Sequence, residues 1–483
     1  MGNVLPHPAT IRTVADLPGP KGLPVIGNVL QIDSMRFHQT LEGWAREFGP
    51  MYRFRGGSRE LVVVSDPTII GTLLRDRPDA MRRTSRSARA FEELGTTGVF
   101  NAEGEEWRRQ RKLVMRALTP EVIRNFFPTL VGLTTRLLAR WQQGVAQDTS
   151  GRNPRVDVLR DLKAWTLDVT IALAMGQDIN TLEHPDNPLQ SDIEQIFNRV
   201  ARRLTTPFSY WRYFKLPVDR AADAASARIE SAVTGFVAQA RARLEANPAL
   251  RAKPSNLLEA FVAARDEPDS GFTDTNVIGN AVTMVFAGED TTSNTIAWLM
   301  HFVARDPRVA GLLAAESDAA LGAGDVLGEF AALERFAYLD ACVDEAMRIK
   351  PVAPFLGLET NRDTVIGDVM VPARTPVLIL TRMAGLVAAD FPEPEAFRPE
   401  RWQGDKRAAA DDPARKLFPF GGGPRFCPGR YLALAEIKMA LSMTMRNFRL
   451  EPVAGAAPVE ELFTFTMTPS ALPVRLVPRN DRP

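Results

Sequence analysis

The chain has few cysteines and almost no net charge. Its 483 residues include only two cysteines, Cys342 and Cys427, which cannot build a disulfide framework or a structural zinc site. Lysine and arginine number 59 against 58 aspartates and glutamates, so the formal net charge is +1. An overall electric field that would recruit nucleic acid or an anionic membrane is therefore excluded.

Targeting signals and domain boundaries are also lacking. The first 20 residues carry no basic segment followed by an apolar one, and no run of about 20 apolar residues could span a bilayer. We therefore expect a cytoplasmic, monomeric protein without a membrane anchor, with Cys342 as an inert buried thiol. The length alone suggests about three domains, but no linker separates them. We expect a single domain over residues 1–483.

A glycine-rich loop with one cysteine stands out. Residues 418–430 read Phe-Pro-Phe-Gly-Gly-Gly-Pro-Arg-Phe-Cys-Pro-Gly-Arg and precede a predicted apolar helix over 431–448. Consecutive glycines allow positive φ and a close approach to a flat group. Pro428 is predicted at the first helical position, so Cys427 lies at a helix N-terminus near Arg425, and both features lower the pKa of a thiol. The thiol is a nucleophile, a metal ligand or simply a small buried hydrophobe.

A long helix is predicted over 273–306. Thr273 or Asp274 can cap its start, and Pro307 ends it. It is apolar nearly all round, as a buried helix should be, yet its middle reads Ala-Gly-Glu-Asp-Thr-Thr-Ser at 287–293. A glycine in mid-helix and buried carboxylates both cost stability. The segment therefore indicates a site, the alternative being a solvated kink.

Two further helices carry pairs of polar residues on one face. Trp107 and Arg111 lie four apart in a helix predicted over 101–118, and Glu345 and Arg348 lie three apart in one over 340–350. Taken alone, such pairs are usually solvated faces, and a surface ion pair contributes less than about 1 kcal/mol.

The remaining patterns predict simpler elements. Periodicity predicts a helix over 37–48, an irregular loop over 81–100, a hairpin within 363–380 and a hairpin of strands over 51–54 and 60–64. Arg53, Arg55 and Arg59 decorate this last hairpin. They form either a solvated face or an anchor for a carboxylate at a substrate entrance.

The cysteine loop resembles the haem-binding loop of the cytochrome P450 family. The shared pattern, Phe-x-x-Gly-x-Arg-x-Cys-x-Gly, fixes Phe420, Gly423, Arg425, Cys427 and Gly429. The resemblance implies that Cys427 is the axial thiolate on the iron of haem b, that Arg425 pairs with a propionate, and that Phe420 lies against the ring. It also implies the cytochrome P450 fold, mainly α with a small β-rich region. Residues 18–75 and 355–385 would contribute most of that region.

The middle of the long helix is similar to the oxygen-activation segment of the same family, small-Gly-x-acid-Thr. Ala287 and Gly288 would then lie against the cofactor, and Asp290 and Thr291 would relay protons. Glu289 occupies the variable position and is not assigned to the relay.

The one-face pairs also match family motifs. Trp107 and Arg111 correspond to a Trp-x-x-x-Arg whose side chains donate to a haem propionate. Leu358 stands where many members carry a further propionate arginine, so the named partners need not be the whole set. Other members have His-Arg or Asn-Arg where Gly385-Leu386 stand here.

A buried charge triad is the third implication. The segment 397–402, Phe-Arg-Pro-Glu-Arg-Trp, resembles the Pro-Glu-Arg-aromatic segment of the family. The resemblance implies that Glu345, Arg348 and Arg401 form a structural rather than catalytic triad.

The implied reaction is insertion of one oxygen atom from O2 into an apolar small-molecule substrate. The chain lacks flavin- and iron–sulfur-type sequence, so NAD(P)H would act through a separate ferredoxin or flavodoxin with its reductase. The alternatives are a haem-thiolate peroxygenase or isomerase without an electron donor, and a non-enzymatic haem sensor. Asp290 and Thr291 argue against both, because neither needs a proton relay. The candidates to line the substrate pocket are Val282, Met284, Val285, Phe286, residues 354–356 and residues 470–472.

Overall fold

The computed structural model describes residues 11–95, 97–148, 156–184, 186–206, 208–268, 270–404 and 412–480. The chain is mainly helical, as expected. Its α-helices in these ranges are α1 (Phe37–Phe48), α2 (Pro67–Arg75), α3 (Ser85–Glu92), α4 (Gly104–Ala117), α5 (Pro120–Ala146), α6 (Val158–Met175), α7 (Leu189–Thr205), α8 (Pro217–Ala246), α9 (Leu257–Asp266), α10 (Asp274–Val303), α11 (Pro307–Leu321), α12 (Ala337–Ile349) and α13 (Arg430–Asn447).

The strands form small sheets. They are β1 (Arg12–Thr13), β2 (Met51–Gly56), β3 (Arg59–Val64), β4 (Met81–Arg83), β5 (Leu356–Thr360), β6 (Thr364–Ile366), β7 (Val369–Val371), β8 (Pro376–Ile379), β9 (Phe448–Pro452), β10 (Glu461–Phe463), β11 (Met467–Pro469) and β12 (Val474–Pro478). The five-stranded sheet has the order β2-β3-β8-β5-β4. Only β3 and β8 run parallel within it. Strands β2, β3 and β5–β8 fall within the two ranges predicted for the β-rich region, whereas β9–β12 lie near the C-terminal end.

Helix α10 lies at the centre of the helical part. The Thr273 side chain accepts from the backbone N–H of Asn276, and the Asn276 side chain accepts from the N–H of Thr273. This capping box fixes the start of the helix. The helix packs against α6, α8, α9, α12 and α13 and is buried along most of its length. No helix of the described ranges is long and apolar enough to cross a membrane.

Gly288 allows α10 to pack closely on α6. A Cβ at this position would lie 2.0 Å from Oγ1 of Thr170, so any side chain would force the helices apart. The resemblance assigned Gly288 to the cofactor, but the face where its side chain would stand is turned toward α6. Close helix packing is the physical reason for a glycine here.

The expectation of an irregular loop over 81–100 was wrong. Met81–Arg83 form β4, which pairs antiparallel with β5, and Thr84 caps α3 through the backbone N–H of Ser87. Because the partner strand lies far along the chain, local pattern did not reveal it. Thr96, in the same segment, lies outside the described residues.

The predicted charge triad is confirmed as a contact. Glu345 Oε2 and Oε1 each lie 2.8 Å from the Arg348 guanidinium, and Arg401 Nε lies 3.2 Å from Oε1. Trp402 Nε1 adds a fourth donor at 2.8 Å. Glu345 and Arg348 are fully buried, so the cluster ties α12 to the segment that precedes the cysteine loop.

Candidate active site

A cavity of about 510 Å³ lies between α10 and the loop that carries Cys427. Its volume falls in the range of small-molecule and cofactor sites, about 300–1,000 Å³. Cys427, Phe420 and Arg425 line it from the loop, Trp107 and Arg111 from α4, and Ala287 and Thr291 from α10. The structure therefore brings together seven of the side chains predicted from three distant segments.

Cys427 is held by backbone hydrogen bonds. Its N–H donates to the Phe420 carbonyl oxygen at 2.9 Å, and its sulfur accepts from the backbone N–H groups of Gly429 and Arg430. Burial raises the pKa of the thiol, although these bonds and the Arg111 charge oppose that rise. The predicted lowering by Arg425 was therefore wrong: the cations that act on the sulfur are Arg111 and, more weakly, Arg430. Coordination to a metal would still deprotonate the thiol.

The position of Pro428 also differs from the prediction. Helix α13 begins at Arg430 with Gly429 as its N-cap, so Pro428 precedes the cap and is not the first helical residue. Because the helix begins later than predicted, the backbone N–H groups of Gly429 and Arg430 lie at its start, beside the sulfur. Such bonds stabilise negative charge on a ligand sulfur.

The glycines of the loop serve the backbone. Gly421 and Gly423 have φ of 70° and 64°, a region that disfavours side chains. A Cβ at Gly423 would lie 2.1 Å from the carbonyl oxygen of Leu74. Gly423 belongs to the pattern of the haem-binding loop, but its open face meets α2. The glycine lets the loop lie directly on that helix.

Arg425 and Trp107 are in contact, and Arg111 lies beside the cysteine. The Arg425 guanidinium stacks 4.5 Å from the centre of the Trp107 ring, donates to the Ala102 carbonyl oxygen at 2.7 Å and pairs with Glu103. Arg111 donates to the Phe426 carbonyl oxygen next to the cysteine. The one-face spacing of Trp107 and Arg111 thus brings both to the cavity.

Three arginines of the cavity wall, Arg77, Arg83 and Arg86, were not predicted from the sequence. Arg77 is buried, and among the described residues its Nε has no hydrogen-bond partner. Arg83 stacks 3.6 Å from the centre of the Phe100 ring. Burial, with repulsion from Arg77 and Arg425, lowers the pKa of Arg83 to about 9. Had β4 been recognised as a strand, Arg83 could have been predicted, because side chains alternate along a strand and Arg82 and Arg83 therefore point to opposite faces. Arg83 is the one that lines the cavity.

These arginines fit a dianionic cofactor. Glu103 is the carboxylate that attracts Arg77, Arg83 and Arg425, so the described residues leave positive charge uncompensated. Burial lowers the pKa of Arg425 to about 10, and its Nε also has no hydrogen-bond partner in the described part of the chain. Buried charges of this kind need a counter-charge. The two propionates of haem would supply it, and Cys427 would supply the ligand for iron.

The predicted proton-relay residues occupy different sides of α10. Thr291 lines the cavity, and its Oγ1 donates to the Ala287 carbonyl oxygen at 2.8 Å. Asp290 is buried behind the wall, accepts from Asn294 at 2.9 Å and accepts from the Thr466 hydroxyl. Burial raises the pKa of Asp290. Since Thr466 lines the cavity, it joins Asp290 to the site. No sequence motif marks this threonine.

Glu289 is fully buried and neither of its carboxylate oxygens has a hydrogen-bond partner in the described residues. Burial and repulsion from Asp290 raise its pKa well above the usual value, and Lys163 only partly offsets this. This environment favours the protonated form of the Glu289 carboxyl.

The apolar wall was predicted in part. Met284, Phe286, Phe355 and Leu356 line the cavity, but Val282, Val285 and Pro354 are not among its described lining residues. The expectation for residues 470–472 was wrong, because residues 463–466 occupy that place. This segment comprises the last residue of β10 and the turn to β11, and it places Phe463 and Phe465 in the cavity wall.

Comparison with known proteins gives one consistent result. The family model for cytochrome P450 matches residues 17–475. The chain is 29% identical over 464 residues to the mitochondrial 25-hydroxyvitamin D-1 alpha hydroxylase of Homo sapiens, covering 93% of this chain and 89% of that protein. It is 27% identical over 451 residues to cytochrome P450 3A13 of Mus musculus, covering 90% and 86%. It is 26% identical over 447 residues to the bifunctional cytochrome P450/NADPH–P450 reductase ascE of Acremonium egyptiacum, covering 90% and 40%.

Proposed function

The chain belongs to the cytochrome P450 family and is a haem-thiolate monooxygenase, and from that premise we propose how its own residues serve the reaction. The substrate is an apolar small molecule that receives one oxygen atom from O2. The observation that carries the proposal is the convergence of the Cys427 thiol and the buried arginines on one apolar cavity.

Cys427 would hold the haem iron, and Arg77, Arg83, Arg425 and Trp107 would surround the propionates. Bound haem supplies the redox-active iron and, through its thiolate ligand, the electron density that favours O–O cleavage. Gly429 and Arg430 donate backbone hydrogen bonds to the sulfur. They would limit that electron density and raise the reduction potential.

Protons would be held by side chains of α10 and of the β10–β11 turn. The Thr291 hydroxyl faces the cavity, and the Thr466 hydroxyl stands between the cavity and Asp290. Lys163 Nζ lies 3.8 Å from Asp290 Oδ1 and 2.9 Å from Glu194. The Glu194 side chain is 43% exposed, so this row of polar groups leads from solvent to the cavity wall.

Electrons would come from NAD(P)H through a separate ferredoxin or flavodoxin with its reductase. Helix α4 carries exposed basic residues and contacts the cysteine loop through Arg111, which supports docking of an acidic partner there. We also propose a single-domain, monomeric and cytoplasmic enzyme.

The test is reduction of the haem-loaded protein under carbon monoxide. We expect the strongly red-shifted band that thiolate ligation gives, and its loss with retention of haem in Cys427→His. The matched control is Cys342→Ser, which removes the other thiol, buried in α12. A band that survives in Cys427→His would show that another group binds the iron.

Turnover separates the monooxygenase from the two alternatives. We expect product only with O2, NAD(P)H and a surrogate ferredoxin and its reductase. Product formed without an electron donor would favour the peroxygenase or isomerase. Haem binding without turnover of any of a broad panel of apolar compounds would favour a sensor.

A further inference from the structure

The cavity wall carries more positive charge than the cofactor can neutralise. Its described charged residues are six arginines and one glutamate. The glutamate, Glu359, is already held by Arg82 and by the backbone N–H and hydroxyl of Ser85. Glu359 therefore does not neutralise the six arginines. They are Arg59, Arg77, Arg83, Arg86, Arg111 and Arg425.

Four of the six have partners near the cysteine. Arg425 pairs with Glu103, and Arg111 is attracted to the Cys427 sulfur. Arg77 and Arg83 match the two propionates under the proposed function. Arg59 and Arg86 are left over.

Arg59 and Arg86 line the same cavity, and their charges repel each other. Arg86 donates to the backbone carbonyl oxygens of Arg203, at 2.8 Å from Nη2, and of Thr206. These contacts fix the side chain but do not neutralise it. Arg59 and Arg212 are the charged groups that act on Arg86, and both repel it. Arg212 is itself paired with Glu93. In the described residues, neither Arg59 nor Arg86 forms an ion pair.

An aromatic wall lines the same cavity as this basic pair. Phe54 of β2 lies beside Phe37 with ring centroids 6.5 Å apart, Phe37 beside Phe355 at 5.3 Å, and Phe355 beside Phe463 at 4.8 Å. All four rings line the cavity. An apolar body could lie along this wall with an anionic group at the arginines.

We propose that the substrate is an apolar carboxylic acid, whose carboxylate pairs with Arg86 and Arg59 while its apolar body lies along the aromatic wall. The proposal rests on the proposed function and adds its substrate class. Arg86 is the principal anchor, because its position is fixed and half-buried. Arg59 is exposed at the β2–β3 hairpin and closes the pair from the solvent side. Guanidinium groups suit this task because they can bind a carboxylate through two parallel hydrogen bonds.

The experiment is a binding titration of the haem-loaded protein, followed by the spin-state change of the iron. The probes are dodecanoic acid with dodecanol, and abietic acid with abietinol, so that each acid has an alcohol of the same apolar body. We expect at least one acid to bind about tenfold or more tightly than its alcohol, as loss of a charged hydrogen bond costs about that factor. Added salt should weaken the binding of the acid and leave the binding of the alcohol unchanged.

Variants test the anchor. Arg86→Gln and Arg59→Gln should each reduce the preference for the acid and leave the affinity for the alcohol nearly unchanged. Arg86→Lys should restore part of the preference, since it keeps the charge. Arg55→Gln is the matched control, because Arg55 is exposed on the same hairpin and is not a lining residue. If Arg86→Gln fails to fold, Arg59→Gln and the salt dependence of binding still test whether the arginines anchor the carboxylate.

Two failures are distinguishable. Equal binding of every acid and its alcohol, in protein with the normal carbon monoxide band, would overturn the substrate class and leave the monooxygenase intact. A preference for acids that persists in Arg59→Gln and Arg86→Gln would also overturn it. Absence of the thiolate band in the wild-type protein would overturn the proposed haem ligation, and this inference with it.

Discussion

The Thr466 hydroxyl donates to Oδ2 of Asp290, joining a carboxylate buried in α10 to a side chain of the cavity wall. The two residues are 176 positions apart. Thr466→Val should break the connection and raise the pKa of Asp290, because the lost bond stabilises the carboxylate. We expect less product per NAD(P)H consumed, with substrate affinity little changed. Thr466→Ser keeps the hydroxyl and should restore the product formed per NAD(P)H. An unchanged product yield in Thr466→Val would show that Thr466 takes no part in proton transfer.

Thr291 gives a second prediction on the same relay. Its hydroxyl donates to the Ala287 carbonyl oxygen one turn earlier in the same helix. Because this bond does not join α10 to another element, Thr291→Ala should cost little stability. We expect substrate binding to persist while reducing equivalents are diverted to peroxide, measured as peroxide formed against product. Thr291→Ser, which keeps the hydroxyl, is the control. Equal product yields in Thr291→Ala and wild type would assign the task to Asp290 and Thr466.

Glu289 predicts a pH dependence of stability. Its folded-state pKa lies well above the unfolded value, so the native state holds more protons, and stability falls as pH rises through the unfolded pKa toward the folded one. Glu289→Gln removes this loss. The unfolding free energy of Glu289→Gln relative to wild type should rise by up to about 1.4 kcal/mol per pH unit between the unfolded-state and folded-state pKa values of Glu289.

The measurement is denaturant unfolding from mildly acidic to neutral pH. Glu230→Gln, an exposed position on α8, is the control and should change stability by less than about 0.5 kcal/mol at any pH. A pH-independent difference between Glu289→Gln and wild type would show that Glu289 is ionised in the folded protein.

The charge triad predicts a large loss of stability. Glu345→Gln would leave Arg348 and Arg401 without their carboxylate in a buried setting. Breaking a buried pair in this way costs about 3–5 kcal/mol. We expect lower haem content and an earlier unfolding transition, measured by absorbance and by chemical denaturation. Glu393→Gln, whose side chain is 71% exposed, should leave both near wild type.

Electron transfer should weaken with salt. Exposed charge steers association, and salt screens it. Arg108 is already paired with Asp79 and Glu105, so Arg109 and Lys112 are the better candidates on α4. We expect Arg109→Glu and Lys112→Glu to slow reduction by the donor protein in stopped-flow measurements, and Arg220→Glu on α8 to have no effect. Rates independent of salt would place docking elsewhere.

Local signals in the sequence were reliable for this protein. Helix α1 was predicted with its observed bounds, because apolar periodicity and a following glycine define it without help from other segments. The cysteine loop and the α10 motif were equally informative, since each concentrates unusual residue types in a few positions. Trp107 and Arg111 reach the cavity for the simple reason that they share one helix face.

Features that depend on distant partners were not predictable. Strand β4 exists because it pairs with β5, so Arg83 stayed hidden in an apparent loop. Gly288 was assigned to the cofactor from its motif, but the close packing of α10 on α6 is the reason for a glycine at this position. Thr466 lies in a turn with no motif, and only the packing of that turn against α10 brings it to Asp290.

The crowding of Arg77, Arg83 and Arg425 around Glu103 has a consequence for the life of the protein in the cell. Before the cofactor arrives, these guanidinium groups repel one another in a poorly solvated wall. A ligand that binds only the folded chain stabilises it by mass action, and here it would also neutralise that repulsion. Newly made chains short of haem should therefore unfold more often and be degraded sooner. Haem supply, rather than transcription alone, would then set how much enzyme accumulates.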